Sequence, residues 1–260
     1  MKTFSHYIGR GFAWARDQVA RGLARAGVTP NMLTLLGLAI TCTAAGFMGG
    51  GRWMIAGLLL IAAGACDMLD GALARIGGKA SRFGGVLDST CDRVGDVALM
   101  VGLAGYYLFT WPALNAQPAN LTYGLLAVLA VINVTEISYI RARAREELAD
   151  CEVGFWRRGE RYAAIVIGMF AANPAIVLWQ LGVGAALTAG CRLICARRAF
   201  EGRPRPNAER SLVERMVFFD EARGTWAYDL YTGLNIALLI AARIPSTDLL
   251  RRLLDRLSGG

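Results

Sequence analysis

An all-α fold, built as a polytopic membrane helical bundle of six transmembrane helices, is what this sequence predicts, with an amphipathic interfacial helix before it and a helical C-terminal appendage after it. Three observations lead there. Hydrophobic residues make up 55% of the 260 positions and mean hydropathy is +0.40, too apolar for an ordinary soluble domain. Apolar stretches of about 20 residues recur between short turns, the length a helix needs to cross a hydrocarbon core. Lysine and arginine collect in alternate connections, as they do in loops left on the cytoplasmic side. The net charge of +8 and pI of about 9.5 then fit loops facing anionic lipid, and no nucleic-acid partner is expected.

Residues 1–28 set Lys2, Arg10, Arg16, Arg21 and Arg25 among Phe4, Ile8, Phe12, Trp14, Val19 and Leu23, the pattern of a basic helix lying on a membrane surface. No compact apolar core followed by small residues marks a cleavable signal there. Residues 29–199 hold the spans. Thr29 offers a cap and Pro30 a first-turn residue for a span over 31–50. Gly49-Gly50-Gly51-Arg52 reads as a hairpin, and the second span runs from Trp53 into an acidic stretch. The third runs from Gly85 to Phe109, residues 110–120 form a loop, and the fourth covers 121–140. After the connector containing Arg141, Arg143 and Arg145, a fifth span extends to Leu181 with a kink or restart at Asn173-Pro174. The sixth runs from Val183 to Cys195 and closes on Arg197 and Arg198.

Through Arg198, the opposite-side turns carry only Arg52, which predicts a multi-pass inner-membrane protein with its acidic stretch and N-terminus facing the cytoplasm. Residues 200–260 form the C-terminal extension. Residues 225–242 are apolar enough for a seventh span, but Asp229 interrupts them and crossing would strand Arg243, Arg251, Arg252 and Arg256 on the poorly charged side. A cytoplasmic-side or re-entrant helix is the expectation. Cys42, Cys66, Cys91, Cys151, Cys191 and Cys195 form no CxxC pair and read as small packing residues in a reducing compartment. The only histidine, His6, sits in the polar leader.

The chain's chemistry concentrates between Asp67 and Asp92. Asp67 and Asp70 are three apart on one helix, and Asp88 and Asp92 are four apart on the next, so each pair shares a face. The intervening glycines permit a tight reversal that lets the two faces meet, while Arg75, Lys79, Ser81 and Arg82 supply cations and a hydroxyl. Carboxylates converging without matching histidine or cysteine suit a hard divalent cation, Mg2+ or Mn2+, and the nearby arginines suit phosphate. The plainer alternative is that the acids are helix-end charges neutralised by neighbouring arginines. Asp96, one turn further on, reads as a support or an arginine's partner.

The pattern Asp67-x2-Asp70-Gly71-x2-Ala74-Arg75-x8-Gly84-x3-Asp88-x3-Asp92 resembles, position for position, the motif of the CDP-alcohol phosphatidyltransferases. That resemblance implies transfer of the phosphatidyl group of CDP-diacylglycerol to an alcohol with release of CMP, by two Mg2+ ions or Mn2+, in a homodimer among membrane lipids. It implies that Asp67 bridges both ions, Asp70 binds one, Asp88 binds one or both, and Asp92 contacts the second and acts as general base. Gly71 and Ala74 then leave room for the nucleotide, or serve helix packing, and Arg75 and Ser81 hold its phosphates, with Gly84 in the same motif. Pro30-Asn31-x-Leu33-Thr34 resembles the family's first-helix entry, which places Asn31 and Thr34 at the nucleotide, although capping also explains that segment.

Ser138 to Glu146 and Gly159-Glu160-Arg161-Tyr162 resemble segments of the bacterial phosphatidylinositol phosphate synthase branch. There a basic residue of the first segment and the arginine of the second bind the phosphate of the acceptor. Arg141 and Arg161 occupy those places, and Arg192 is the third basic position, with Arg197 and Arg198 behind it. Arginine stands at Arg141 where that branch usually has lysine. The implied acceptor is a phosphorylated polyol, inositol phosphate, with glycerol 3-phosphate the rival. Ordinary positive-inside arginines are the competing explanation. An intramembrane prenyltransferase would place its two aspartate motifs much farther apart, and a cation transporter would need acids on both faces.

Overall fold

The computed structural model describes residues 4–78, 80–146, 151, 153–201, 225–242, 248, 250–251 and 254–255, with side chains from residue 13 onward. Every regular element among them is helical. These residues form two compact units, one within 1–46 and 58–99, the other within 47–57 and 100–260. Among the described residues, five helices are long and apolar enough to cross a membrane: Pro30–Gly49, Trp53–Ile76, Arg82–Asn115, Leu121–Glu146 and Pro174–Phe200.

In the first unit, α1 (Phe4–Arg25) ends where Gly27 turns at φ 79°. The Thr29 hydroxyl accepts from the Met32 amide at 3.3 Å, and Pro30 opens α2 (Pro30–Gly49), as the sequence predicts. Helices α3 (Trp53–Ile76) and α4 (Arg82–Gly105) carry the acidic pairs. They approach α2 through small residues. A Cβ on Gly37 would stand 3.3 Å from Cys66 Cβ, and one on Gly95 3.3 Å from Thr41 Cγ2. Close backbone approach of this kind is what holds helices together where lipid removes the hydrophobic drive. Gly78, at φ 60°, turns the chain between α3 and α4; Lys79 lies outside the described residues.

In the second unit, α4 continues through a π-turn (Tyr106–Thr110) into α5 (Trp111–Asn115), so the expected loop over 110–120 begins only at Ala116. Pro112 did not end the helix because the π-turn reroutes the hydrogen bonds: Trp111 N donates to Tyr106 O, five residues back. Helix α6 (Leu121–Glu146) likewise runs on through the arginine connector.

The boundary between the last two expected spans is displaced. Helix α7 (Arg158–Phe170) stops at Ala171, and α8 (Pro174–Trp179), a π-turn (Gln180–Gly184) and α9 (Ala185–Phe200) form one continuous 27-residue helix. Ala172 at φ 49° and Pro174 make the turn, because proline suits a helix start and lacks the donor needed to continue one. Gly182 and Gly184 are packing residues instead of a turn: a Cβ at Gly182 would meet Leu126 O at 3.0 Å and one at Gly184 would meet Trp156 Nε1 at 2.6 Å. Asn133 Nδ2 donates to Gly182 O at 2.7 Å, satisfying a carbonyl at the π-turn. With 13 residues, α7 rises only about 20 Å, short of a ~30 Å core, so the six-span count is not met by length.

The expected helix of the C-terminal extension is α10 (Trp226–Ala241), and its partners lie far back in the chain. Tyr228 Oη donates to Glu160 Oε1 at 2.7 Å, at the start of α7. Asn173 Nδ2, just past the end of α7, donates to Leu239 O at 3.0 Å and Ala242 O at 2.7 Å. The helix therefore runs alongside α7 from one end to the other. Asp229 does not prevent this, because it lies in the exposed first turn of α10, where an acid suits the helix dipole. Beyond it, Asp248 accepts from Leu121 N at 2.8 Å, Thr122 N at 3.2 Å and Thr122 Oγ1 at 2.8 Å, capping α6 at the end opposite Arg141. Arg251, whose position argued against crossing, donates to Ala119 O at 3.2 Å. Residues 202–224, Arg243, Arg252 and Arg256 lie outside the described residues.

Burial alone would raise the Asp248 carboxyl, but hydrogen bonds from the Thr122 hydroxyl and the Arg251, Leu121 and Thr122 amides hold it below the usual carboxylate range. A lowered folded value stabilises fully above the unfolded value of about 4 and is lost as pH falls through the folded one. Asp248→Asn is therefore expected to lower the thermal midpoint in detergent at pH 7. The difference from wild type should shrink as pH drops below about 4; a pH-independent difference would refute the assignment.

Candidate active site

The two acidic pairs meet as their spacing implies. Asp67 and Asp70, on α3, and Asp88, on α4, each present a carboxylate oxygen such that the three lie within 4.8 Å of one another. Asp67 is exposed, Asp88 half-buried and Asp70 buried at 8% exposure. Three like charges this close repel strongly unless a cation or proton joins them. The ligand oxygens of one Mg2+ sit at most ~4.2 Å apart, so small carboxylate rotations complete a site. The donor set is all oxygen, as a hard divalent cation prefers, and the residues fit the metal. Asp92, half-buried, follows one turn later on α4 and stands outside this three-carboxylate group.

Thr34 reaches the acidic group directly. Its hydroxyl donates to Asp70 Oδ2 at 2.7 Å and lies 3.2 Å from Pro30 O; one proton cannot serve both, and the shorter, charge-assisted contact wins. Thr34 therefore orients a ligand carboxylate. Ser81 accepts from Gly84 N at 2.9 Å, capping α4 immediately before Arg82. Gly84 allows this cap, since a Cβ would stand 3.1 Å from Ser81 Oγ and 3.4 Å from Asn31 Oδ1. Gly71 is different: its nearest neighbour for a Cβ is Arg75 Nη1 at 3.5 Å, ordinary contact, so the chain's own packing does not demand glycine there. The exposed Arg75 folds back over Gly71, and half-buried Ala74 leaves the same helix end uncluttered.

In the second unit, the three arginines named from sequence come together. Arg161 and Arg192 are each 3% exposed, Arg141 is half-buried, and Arg141, Arg161 and Arg157 act electrostatically on Arg192. Arg192 Nη1 donates to Ile137 O at 2.7 Å and its Nε to Val153 O at 3.2 Å; Arg161 Nη1 donates to Trp156 O at 3.1 Å. Buried guanidinium groups clustered with one another are costly, and a bound anion relieves them. Sequence reasoning passed over Arg157, although its place in the Arg157-Arg158 pair before α7 was a signal. Arg197 instead pairs with Glu201 at 2.8 Å on an exposed face.

Long apolar helices that carry a carboxylate cluster able to hold a metal ion, and buried guanidinium groups able to meet an anion, fit the class of membrane phosphotransferases. Residues 27–191 match the CDP-alcohol phosphatidyltransferase family model, and the chain belongs to that family of enzymes. The phosphatidylinositol phosphate synthase of Mycobacterium tuberculosis is 37% identical over 198 residues, spanning 72% of this chain and 85% of that protein. The archaetidylinositol phosphate synthase of Pyrococcus horikoshii is 38% identical over 154 residues, 58% of this chain and 74% of that protein. Crystal structures of the M. tuberculosis enzyme, one with CDP-DAG bound and one with manganese and citrate, each align with a TM-score of 0.63 at 28% identity. They cover 75% of this chain and 98% and 93% of theirs.

Thr34→Val removes the hydroxyl that donates to Asp70 Oδ2 while keeping the side chain's shape. We expect the Mg2+ or Mn2+ concentration for half-maximal activity to rise at least about tenfold. An unchanged metal requirement would show that Thr34 does not support the site.

Proposed function

We propose that this enzyme transfers the phosphatidyl group of CDP-diacylglycerol to inositol phosphate, giving phosphatidylinositol phosphate and CMP. The convergence of Asp67, Asp70 and Asp88 within one chain of this family carries the reading. Two Mg2+ ions, or Mn2+, held by these residues with Asp92, would neutralise the pyrophosphate oxygens and acidify the acceptor hydroxyl. Asp92 takes the acceptor's proton. A carboxylate beside a cation is a weak base, so its contribution rests on position and on that acidification. Asn31, Gly71 and Ala74 bound the space for the cytidine. Arg75 holds phosphate, and Ser81 and Gly84 fix the turn into α4 from which Asp88 and Asp92 project.

Arg141, Arg161 and Arg192 bind the acceptor's phosphate. The gathering of these three side chains supports a dianionic acceptor over free inositol, serine or choline, because guanidinium forks match the oxygens of a phosphate. Names of relatives across two domains of life, both inositol phosphate enzymes, favour inositol phosphate over glycerol 3-phosphate. The site and N-terminus face the cytoplasm of the inner membrane, which the distribution of arginines supports. The working form is a homodimer among membrane lipids.

Purified enzyme with CDP-diacylglycerol and Mg2+ should release CMP with inositol phosphate, and much more slowly with glycerol 3-phosphate; the reverse order would reassign the acceptor. Asp92→Asn should lower turnover by about 10²–10⁴-fold while CDP-diacylglycerol still binds. Full activity would remove Asp92 as the base. Arg161→Ala should raise KM for inositol phosphate by about 10–100-fold and leave that for CDP-diacylglycerol unchanged. Equal loss for both substrates would contradict a phosphate pocket.

A further inference from the structure

Helix α10 lies outside residues 27–191, yet it touches the acceptor arginines' surroundings at two points. The first is the hydrogen bond from Tyr228 Oη to Glu160 Oε1 at 2.7 Å. Glu160 is 8% exposed in the first turn of α7, immediately before Arg161, where a carboxylate also meets the positive end of the helix dipole. The second is aromatic. Phe155 meets the Tyr231 ring edge-on at 4.5 Å and the Tyr228 ring at 6.0 Å, and the next residue, Trp156, supplies the carbonyl that accepts from Arg161 Nη1. The chain thus frames Arg161 from α10 through both its neighbour in sequence and the carbonyl it donates to.

Tyr228 is itself fixed. Thr225 caps α10 by accepting from the Tyr228 amide, and the far end of the helix is clasped by Asn173. Beside the Tyr228–Glu160 contact lies a cavity of about 270 Å³ lined by Ala163, Ile167, Thr232 and Ile236. That space leaves room for a carboxylate to turn, and the hydrogen bond from Tyr228 gives Glu160 Oε1 a fixed direction.

We propose that Tyr228 is a positioning residue for acceptor binding: its hydroxyl holds the Glu160 carboxylate and, through the first turn of α7, the Arg161 guanidinium that receives the acceptor's phosphate. This rests on the role of Arg161 given above. The residue specifies the acceptor side of the reaction only, because the aspartates belong to a different unit of the chain.

Tyr228→Phe keeps the ring against Phe155 and removes only the hydroxyl. With full-length enzyme in detergent, KM for inositol phosphate is expected to rise about three- to tenfold, with kcat and the KM for CDP-diacylglycerol within about twofold of wild type. In an Arg161→Ala background the same change should add nothing further, since the two would act on one contact. Equal losses in every parameter, or independent multiplicative effects of the two substitutions, would overturn the proposal. If Arg161→Ala raises the acceptor KM and Tyr228→Phe does not, only the role of Tyr228 fails. If Arg161→Ala itself leaves acceptor KM unchanged, the phosphate-pocket reading fails and this proposal with it.

Discussion

Mutual repulsion among Asp67, Asp70 and Asp88 is the constraint around which the first unit is arranged. Bringing three carboxylates within 4.8 Å at the ends of apolar helices opposes folding unless cations are bound there. The devices nearby all serve that placement. Small residues let α3 and α4 approach α2, a glycine turn reverses the chain, Ser81 caps α4, and Thr34 fixes the buried member of the trio. Each is weak alone. Together they aim oxygens before any ligand arrives, which is the preorganisation that charge-stabilising catalysis requires.

The second unit solves a different problem, that of guanidinium groups and irregular backbone in an apolar setting. Arg161 and Arg192 spend part of their donor capacity on backbone carbonyls of Trp156, Val153 and Ile137. Asn133 does the converse at the π-turn, giving its amide hydrogens to carbonyls of the long helix. Such exchanges supply hydrogen-bond partners to charge and to irregular backbone in an apolar setting.

Much of this was legible in the sequence, for identifiable reasons. Asp67, Asp70 and Asp88 announce themselves because helical spacing maps directly onto a shared face, and Thr29-Pro30 because capping chemistry is local. The misread boundaries have non-local causes. Gly182 and Gly184 look like a turn until Leu126 and Trp156 are seen to need their missing side chains. Pro112 looks like a stop until the π-turn before it is known. The hydrogen bond from Thr34 to Asp70 could not be read from sequence, since nothing in its local spacing points 36 residues ahead. The partners of α10 were hidden for the same reason, since Glu160 and Asn173 lie 68 and 66 residues back in the chain.

The amide of Asn173 has an implication for biogenesis. Its two acceptors, Leu239 and Ala242, come 66 and 69 residues later in the chain, and the Asp248 cap of α6 comes 127 residues after Leu121. The polar groups at the ends of α6 and α7 therefore find these partners only once residues 239–248 have left the ribosome. Closure of this unit is a late, long-range event, the slow kind of contact in any folding sequence.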